Sequence, residues 1–250
     1  MTSVEMLLLG VGSGGGGEEG DGMTLLGRPY SSDHRYLDLH RDPGVEWRNQ
    51  DSASIDFALN GAYMVADSAN ELNVVWLPTA LLPAGDWVVL VETRQVLRGG
   101  NNSQGGLVAL VGGTIDTPGT NGLLLMSHYQ GALGSGWSSS TWNSYTTFSS
   151  SIGNPYFSDN TPGSMQQAYS MIGYDSVAGE CYGAILPDFS HGEVGSGVQY
   201  QALGSYDPTR VGFVVSSAAE GATAYLFRHF RVVVPGDPAL WPMMELIGRV

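Results

Sequence analysis

The chain has no lysine, and its 250 residues carry little charge of either sign. Charged side chains make up 14% of the sequence, whereas they make up about a quarter of a typical soluble domain. The ten basic residues, all arginines, are outnumbered by 24 acids, which gives a formal net charge of −14 at pH 7. Because an acidic surface repels phosphate backbones, this balance argues against nucleic acid as a partner.

Cysteine is almost absent. With Cys181 as its single cysteine, the chain cannot form an internal disulfide, and it lacks the framework that marks small secreted domains. Cys181 lies in the apolar segment GECYGAIL, residues 179–186, which predicts a buried strand in which the thiol is a small apolar filler.

Long apolar runs are missing too. The segment MLLLGVG, residues 6–12, is too short to span a membrane, and it has neither a basic segment before it nor the flanks of a signal peptide. We therefore expect no membrane span, and a chain that is made and folded in the cytoplasm.

The common nucleotide and metalloprotease motifs are not found. The glycine tract of residues 10–22 is not followed by G-K-[ST], so it is not a P-loop, and His34 and His40 do not have H-E-x-x-H spacing. The tract has the composition of a flexible linker. We assign residues 1–50 to an N-terminal arm that contains it.

The sequence is instead rich in turn residues and short strand-like runs. It has 36 glycines, and every break between runs holds Gly, Pro, Asn or Asp. No helical stretch separates the runs, which favours an antiparallel sandwich or barrel. The eleven predicted strands are 54–60, 62–67, 72–78, 87–97, 106–113, 122–129, 168–175, 181–186, 198–203, 210–217 and 224–234.

Residues 131–167 show no such runs and predict a long insertion rich in serine, glycine and aromatic residues. Long loops in compact domains are usually functional or mobile. Trp137, Trp142 and Tyr145 would then form a platform on which sugar rings stack. The alternative is a satellite hydrophobic cluster under the loop.

Strict alternation divides the last predicted strand into two faces. Leu226 and Phe230 mark the face that we expect on the core, with Arg228 near an edge or paired to an acid. The other face carries His229 and Arg231 among aromatic residues, and we predict that these two contribute to glycan binding. Ordinary solvent exposure on a last strand is the alternative.

The final segment, residues 236–250, differs from the rest and predicts a docking tail. Asp237 can cap a short helix, and Pro238 suits its first position. Its apolar residues are too many for one narrow stripe, so the tail either folds onto its own sandwich or docks on a partner. The residues predicted to serve assembly are Leu240, Trp241, Met244, Leu246 and Ile247.

A family resemblance follows from the closing segments. The strand RVGFVVSS, the turn AAEGATA and the strand YLFRHFRVVV place Phe227, Phe230 and Val232 in an aromatic-x-x-aromatic-x-hydrophobic pattern. This resembles the closing hairpin of concanavalin A-like sandwiches, the lectin, glucanase and laminin-G group, and AGDWVVLVETRQV resembles an early long strand of that group. The resemblance covers roughly residues 53–234 and implies an all-β, antiparallel two-sheet jelly-roll sandwich, which we assign to residues 51–235. The extended N-terminal arm and the short C-terminal helix predicted above flank this sandwich.

The resemblance also bears on chemistry. The glucanases carry an E-x-D-x-x-E strand, which is absent here, so we expect no enzymatic activity. The lectins hold calcium with loop Asp and Asn, and calcium is the one cofactor that we consider. The segments DTPGTNG and SDNTPG offer oxygen donors, although turn chemistry explains the same residues without a metal. These donors are Asp116, Asn121, Asp159 and Asn160.

Two functions fit these observations. The first is a non-enzymatic structural protein of a phage virion, such as a capsid decoration, fibre or tail-associated protein. It would assemble through its termini with other virion proteins and with itself as a homo-oligomer. The alternative is a lectin-like module that binds a cell-surface glycan. A glycoside hydrolase is less favoured, because no paired carboxylates stand out.

Overall fold

The computed structural model describes residues 24–25, 28–29, 35–36, 39, 42–49, 53–58, 61–67, 71–97, 99–100, 102–131, 134–159, 167–187, 199–217 and 221–233. These residues form strands and one short 3-10 helix, Thr79–Leu81. The strands are β1 (Thr24–Leu25), β2 (Arg28–Pro29), β3 (Arg35–Tyr36), β4 (Glu46–Arg48), β5 (Ala53–Ala58), β6 (Gly61–Ala66), β7 (Asn73–Trp76), β8 (Trp87–Leu97), β9 (Ser103–Leu110), β10 (Leu123–Gly131), β11 (Gly134–Ser144), β12 (Thr147–Asp159), β13 (Gln167–Asp175), β14 (Glu180–Pro187), β15 (Gln199–Gly204), β16 (Arg210–Ser216) and β17 (Thr223–Val233).

Two large antiparallel sheets contain nearly all of these strands. The first sheet has the order β12-β11-β10-β9-β16-β7-β4. The second has the order β15-β14-β13-β8-β17-β6-β5, and β3 pairs with the end of β17. β1 and β2 pair only with each other. The all-β, antiparallel two-sheet prediction is confirmed.

The core lies between the two sheets and follows from strand alternation. Trp87, Val89 and Val91 of β8 point inward, as do Leu107 and Ala109 of β9. Each large apolar side chain that is fully buried in this way contributes roughly 1.5–3 kcal/mol. The inward residues therefore stabilise the packing of the two sheets. The outward residues do not contribute to this core, so their chemistry can differ between the sheets.

All eleven predicted strands are present, but the insertion predicted at 131–167 is not a loop over residues 134–159. Those residues form β11 and β12, the last two strands of the first sheet. Cross-strand pairs hold the hairpin, including a hydrogen bond between the Thr141 and Ser150 hydroxyls and an edge-on contact of Trp142 with Phe148. The serine-rich composition concealed these strands, because serine lacks the β-branched or aromatic signature on which the prediction depended.

The strict alternation predicted for the last strand is wrong. Tyr225 and Phe227 are fully buried in the core, and so are Phe230 and Val232 further along. The pairing of β17 with β8 shifts register between Arg228 and Arg231. This β-bulge inserts an extra residue and reverses which positions face inward.

Several predicted features cannot be compared with the structure. The glycine tract at 10–22 and the tail at 236–250, with its assembly residues, lie outside the described residues, so the arm, the helix and their docking roles stay predictions. The part of the predicted arm at Glu46–Arg48 pairs with β7 as the edge strand β4. No helix in the described part of the chain is long and apolar enough to cross a membrane.

Candidate functional site

The outward side of the first sheet is a second apolar core rather than a wet surface, and we call it the closed face. Its residues come from β7, β9, β10, β11 and β16, with Leu72 just before β7 and Tyr145 just after β11, and they pack into one buried cluster. Burial on both sides of a sheet is unusual for antiparallel strands, which commonly leave one side in water. The cluster consists of Leu72, Val74, Trp76, Val108, Leu110, Leu123, Leu125, Trp142, Tyr145 and Val214, with Ile115 against it.

The turn between β11 and β12 covers the closed face. The main-chain nitrogen of Leu72 donates to the carbonyl of Tyr145 at 2.7 Å. The Tyr145 hydroxyl accepts from Trp76 Nε1 at 2.9 Å and donates to the Ile115 carbonyl at 2.5 Å. Since β10, β9 and β16 separate β11 from β7, this turn reaches across about 19 Å of sheet. The sheet therefore curls until its own hairpin lies over its outer side, and burial raises the pKa of Tyr145.

The three rings proposed as a sugar platform do not lie together on a surface. Trp137 has no exposed area and packs in the core between the sheets, with its ring 5.5 Å from that of His128. Trp142 and Tyr145 are 8% and 9% exposed within the closed face. A buried ring offers no face to a sugar, so this placement favours the hydrophobic-cluster alternative.

The proposed calcium donors are occupied by other groups where they are described. Asp116 forms an ion pair with Arg48 at 2.7 Å. The Asn121 side-chain oxygen accepts from the Thr141 and Ser149 hydroxyls at 3.1 Å and 2.5 Å. The Asp159 side chain and Asn160 lie outside the described residues. In the described part of the chain, no group of three or more His, Cys, Asp or Glu could hold a metal ion, and the calcium site stays a prediction.

The outward side of the second sheet contains a different kind of surface, which we call the open face. It is formed by outward side chains of β5, β6 and β17 and of the last part of β8. Pairing aligns Asp56 with Tyr63, Tyr63 with Leu226, and Leu226 with Arg94, so four strands contribute one row. Asp56 and Arg94 are exposed, while Tyr63 and Leu226 are half-buried. With neighbouring strands about 4.8 Å apart, the row is about 14 Å long.

The polar groups of this row are not engaged by any of the described residues. The Asp56 carboxylate, the Tyr63 hydroxyl and the Arg94 guanidinium have no hydrogen bond or ion pair with any residue that the structure describes. On the closed face, by contrast, the indole nitrogens of Trp76 and Trp142 both donate to hydroxyl oxygens. The open face thus presents an acceptor, an aromatic ring and a donor to solvent, in a fixed order.

An ion pair borders the row on one side. Arg228 of β17 binds Glu92 of β8, as the prediction that this arginine pairs with an acid required. Gly61, with φ +117°, lies beneath it, since a Cβ at this position would be 2.9 Å from Arg228 Cγ and 2.3 Å from the Phe227 carbonyl. Glu92 is buried, and Arg228 Nε is buried without a described acceptor. The pair fixes the edge of the open face.

Two apolar side chains border the row on the other side. Val96 and Leu97, at the end of β8, are 51% and 46% exposed. The pairing of β8 with β17 is irregular at this point, between Ala224 and Tyr225. The row of polar groups therefore lies beside an exposed apolar strip.

His229 and Arg231, predicted for glycan binding, lie on β17 just beyond Arg228. The main chain of Arg231 pairs with Leu90 and Tyr36. The side chains of His229 and Arg231 are outside the described residues, so their role stays a prediction.

The residues of the row were missed by sequence reasoning. The short hairpin of β5 and β6 is a signal from which the pairing of Asp56 with Tyr63 could have been found. No local signal places Leu226 and Arg94 beside them.

Comparison with known proteins bears on the fold. No family model matches the chain, and no curated protein matches it. A legume lectin-like domain from Entamoeba histolytica matches with a TM-score of 0.55 at 10% identity, over 81% of this chain and 97% of that one. The fold is a concanavalin A-like sandwich. A GH43 protein from Bacillus licheniformis matches with a TM-score of 0.52 at 11% identity, over 80% of this chain and 39% of that longer one.

The concanavalin A-like resemblance is thereby confirmed at the level of fold. The two closing strands do not form the predicted hairpin, because β16 lies in the first sheet and β17 in the second. Identities this low carry no residue from either protein onto this chain.

Proposed function

We propose that this protein is a non-catalytic carbohydrate-binding module and that the open face is its binding site. The observation that carries the proposal is the row of Asp56, Tyr63, Leu226 and Arg94, whose polar groups are not engaged by any residue that the structure describes. Small-molecule sites combine an apolar or aromatic lining with a few placed polar groups. A sugar ring has an apolar C–H face, which fits Tyr63 and Leu226. Its hydroxyls both donate and accept, which fits a carboxylate at one end and a guanidinium at the other.

The fold supports the same proposal. The match from Entamoeba histolytica is named as a lectin-like domain and spans nearly its whole length. This likeness concerns the sandwich and not the site, so the argument for binding rests on the open face itself.

The spacing of acids supports binding rather than hydrolysis. Retaining glycosidases hold two carboxylates roughly 5 Å apart, and inverting ones roughly 6.5–9.5 Å. On the open face, Glu92 is buried and paired with Arg228. Asp56 lies three strands away from it, about 14 Å across the sheet. These two carboxylates are too far apart to act on one glycosidic bond.

The test is the loss of binding in Tyr63→Ala. Retention on immobilised polysaccharides and a glycan array would identify a ligand, and calorimetry would measure its affinity. We expect Tyr63→Ala to weaken binding about tenfold, because the sugar's C–H face and the ring bury apolar area against each other, at roughly 25 cal/mol per Å². Tyr63→Phe keeps the ring and should retain most of the affinity.

The matched control is Phe148→Ala, which removes a half-exposed aromatic ring from the first sheet. It should leave binding unchanged. Equal losses in Tyr63→Ala and Phe148→Ala, or none in either, would place the site elsewhere. Release of reducing ends from the polysaccharides would contradict the non-catalytic assignment.

The virion role depends on the terminal segments, which lie outside the described residues. Assembly with virion proteins, homo-oligomer formation and location in a virion therefore stay predictions from the sequence.

A further inference from the structure

Arg94 differs from every other arginine whose side chain the structure describes. Arg48 binds Asp116 at 2.7 Å, Arg210 binds Glu46 at 2.5 Å, and Arg228 binds Glu92. Arg94 is exposed and has no carboxylate partner among the described residues. The chain has 24 acids against ten arginines. An arginine that no described acid pairs with, in so acidic a protein, is therefore a candidate contact for an external anion.

The surroundings of Arg94 strengthen such a contact. Leu226 lies directly beside it on β17, and the exposed Val96 follows two residues later on β8. Apolar neighbours lower the local dielectric constant and so strengthen an ionic hydrogen bond. A guanidinium also presents parallel N–H groups that match the two oxygens of a carboxylate.

The opposite end of the row has the opposite charge. Asp56 lies three strands from Arg94, about 14 Å away, and it has no described partner either. A second anion bound there would meet both this carboxylate and the repulsion of the chain's net charge of −14. A repelling carboxylate at this position therefore contributes to ligand specificity, as an attractive contact also does.

We propose that the open face binds a saccharide that carries a single carboxylate at one end, such as a terminal uronate or sialate. The sugar carboxylate contacts Arg94, a neutral ring lies over Leu226 and Tyr63, and hydroxyls of the next residue donate to Asp56. This inference rests on the proposed carbohydrate-binding function. It adds that neutral chains bind more weakly and that polyanions are rejected.

The experiment compares four ligands by calorimetry at 0.15 M salt, roughly physiological ionic strength. They are a neutral oligosaccharide, the same chain ending in one uronate, the same chain ending in one sialate, and a polyuronate of equal length. We expect at least one of the two terminal acids to bind about 10- to 100-fold tighter than the neutral chain, as a hydrogen-bonded charge allows. The polyuronate should bind no tighter than the neutral chain.

Two variants test the two charged ends of the row, one by removing a preference and the other by raising an affinity. Arg94→Gln should abolish the preference for the terminal acid, so that the acid-terminated and neutral chains bind this variant with similar affinity. Asp56→Asn should raise affinity for the polyuronate, because it removes the repelling charge and keeps an acceptor oxygen. Thermal unfolding of each variant would confirm that it folds.

The outcomes separate this inference from the function on which it rests. Binding that depends on Tyr63, with no preference for either terminal acid or with a preference that survives Arg94→Gln, overturns the inference and leaves the function standing. Tightest binding of the polyuronate to the unaltered protein also overturns it. No binding of any saccharide, here or on the glycan array, overturns both.

Discussion

The outer side of the first sheet and the part of the second sheet's outer side that we call the open face differ in how they are covered, although the same strand alternation produces both. On the closed face, outward side chains such as Trp76 and Leu123 are apolar, and the β11–β12 turn lies over them. On the open face, the outward side chains include Asp56, Tyr63 and Arg94, which are exposed or half-buried and unengaged with described residues. The first face stabilises the curled sheet. The second is the surface that we propose as a binding site.

This contrast teaches where to look for function in such a sandwich. The aromatic residues that looked most like a binding platform, Trp137, Trp142 and Tyr145, are buried, because large rings are the most effective way to fill a core. The residues that fit a ligand are ordinary in sequence. What distinguishes them is that their polar groups have no partner among the described residues, whereas the indole nitrogens of the closed face do.

The largest expected effect comes from opening the closed face with Trp76→Ala. This change removes a fully buried indole and the donor to the Tyr145 hydroxyl, and we expect it to lower the free energy of unfolding by about 3–5 kcal/mol. Denaturant unfolding measures it. Tyr63→Ala is the counterpart on the open face and should lower the free energy of unfolding by under about 1 kcal/mol. Similar losses in the two variants would contradict the division into a structural and a functional face.

An intermediate effect is expected at the ion pair that borders the open face. Glu92→Gln leaves the guanidinium of Arg228 without its carboxylate and should lower the free energy of unfolding by about 2–3 kcal/mol. Breaking a fully buried pair would cost more, but Arg228 is partly exposed.

A double-mutant cycle with Arg228→Met checks this value. Once both charges are gone, the double variant should lose less stability than the sum of the single variants. Simple additivity would show that the two side chains act independently and that the pair does not define the edge of the face.

The smallest effect is expected from Tyr145→Phe, which keeps the ring over the closed face and removes its hydroxyl. At pH 8 the change should cost about 1–2 kcal/mol, because Trp76 Nε1 loses its acceptor. Burial raises the pKa of Tyr145 above its ordinary value of 10.0 in the folded protein. The neutral hydroxyl therefore makes its full contribution to the free energy of unfolding below pH 10. This contribution is lost as pH rises through the pKa of Tyr145 in the folded protein.

The difference in stability between the unaltered protein and Tyr145→Phe should accordingly narrow between pH 8 and pH 11, as urea unfolding would show. Tyr63→Phe serves as the control on the open face and should change stability at pH 8 by under about 0.5 kcal/mol. A difference that widens with pH would mean that the Tyr145 hydroxyl is not buried in a protonated form.

Some elements of the fold were accessible from sequence and others were not. The run WVVLVETRQVL became β8 with its predicted bounds, because alternation and turn residues act over a few positions. The hairpin of β11 and β12 was missed because its serines and threonines carry a weak strand signal, and its stability comes from cross-strand pairs and from the cover that it provides. The bulge near Arg228 was also missed, since alternation alone cannot reveal an extra residue.

The candidate site divides in the same way. Because Arg228 lies among apolar residues, the sequence predicted that it would lie near an edge or pair with an acid. The sequence did not identify Glu92 as that acid. Asp56 and Tyr63 belong to neighbouring strands of one hairpin, whereas Leu226 and Arg94 come from parts of the chain more than a hundred residues apart. Only the pairing of β17 between β6 and β8 brings these residues into one row.

By itself, the sequence determined where most strands lie, that they would pair in an antiparallel sandwich or barrel, and that the molecule would be acidic, since periodicity, turn chemistry and charge are local properties of the chain. The tertiary structure decided which strands became neighbours, which outer face was covered by the molecule's own hairpin, and which polar side chains remained without partners. The physical reason is that register between distant strands depends on how well all inward side chains are buried at once, a quantity that no short segment contains.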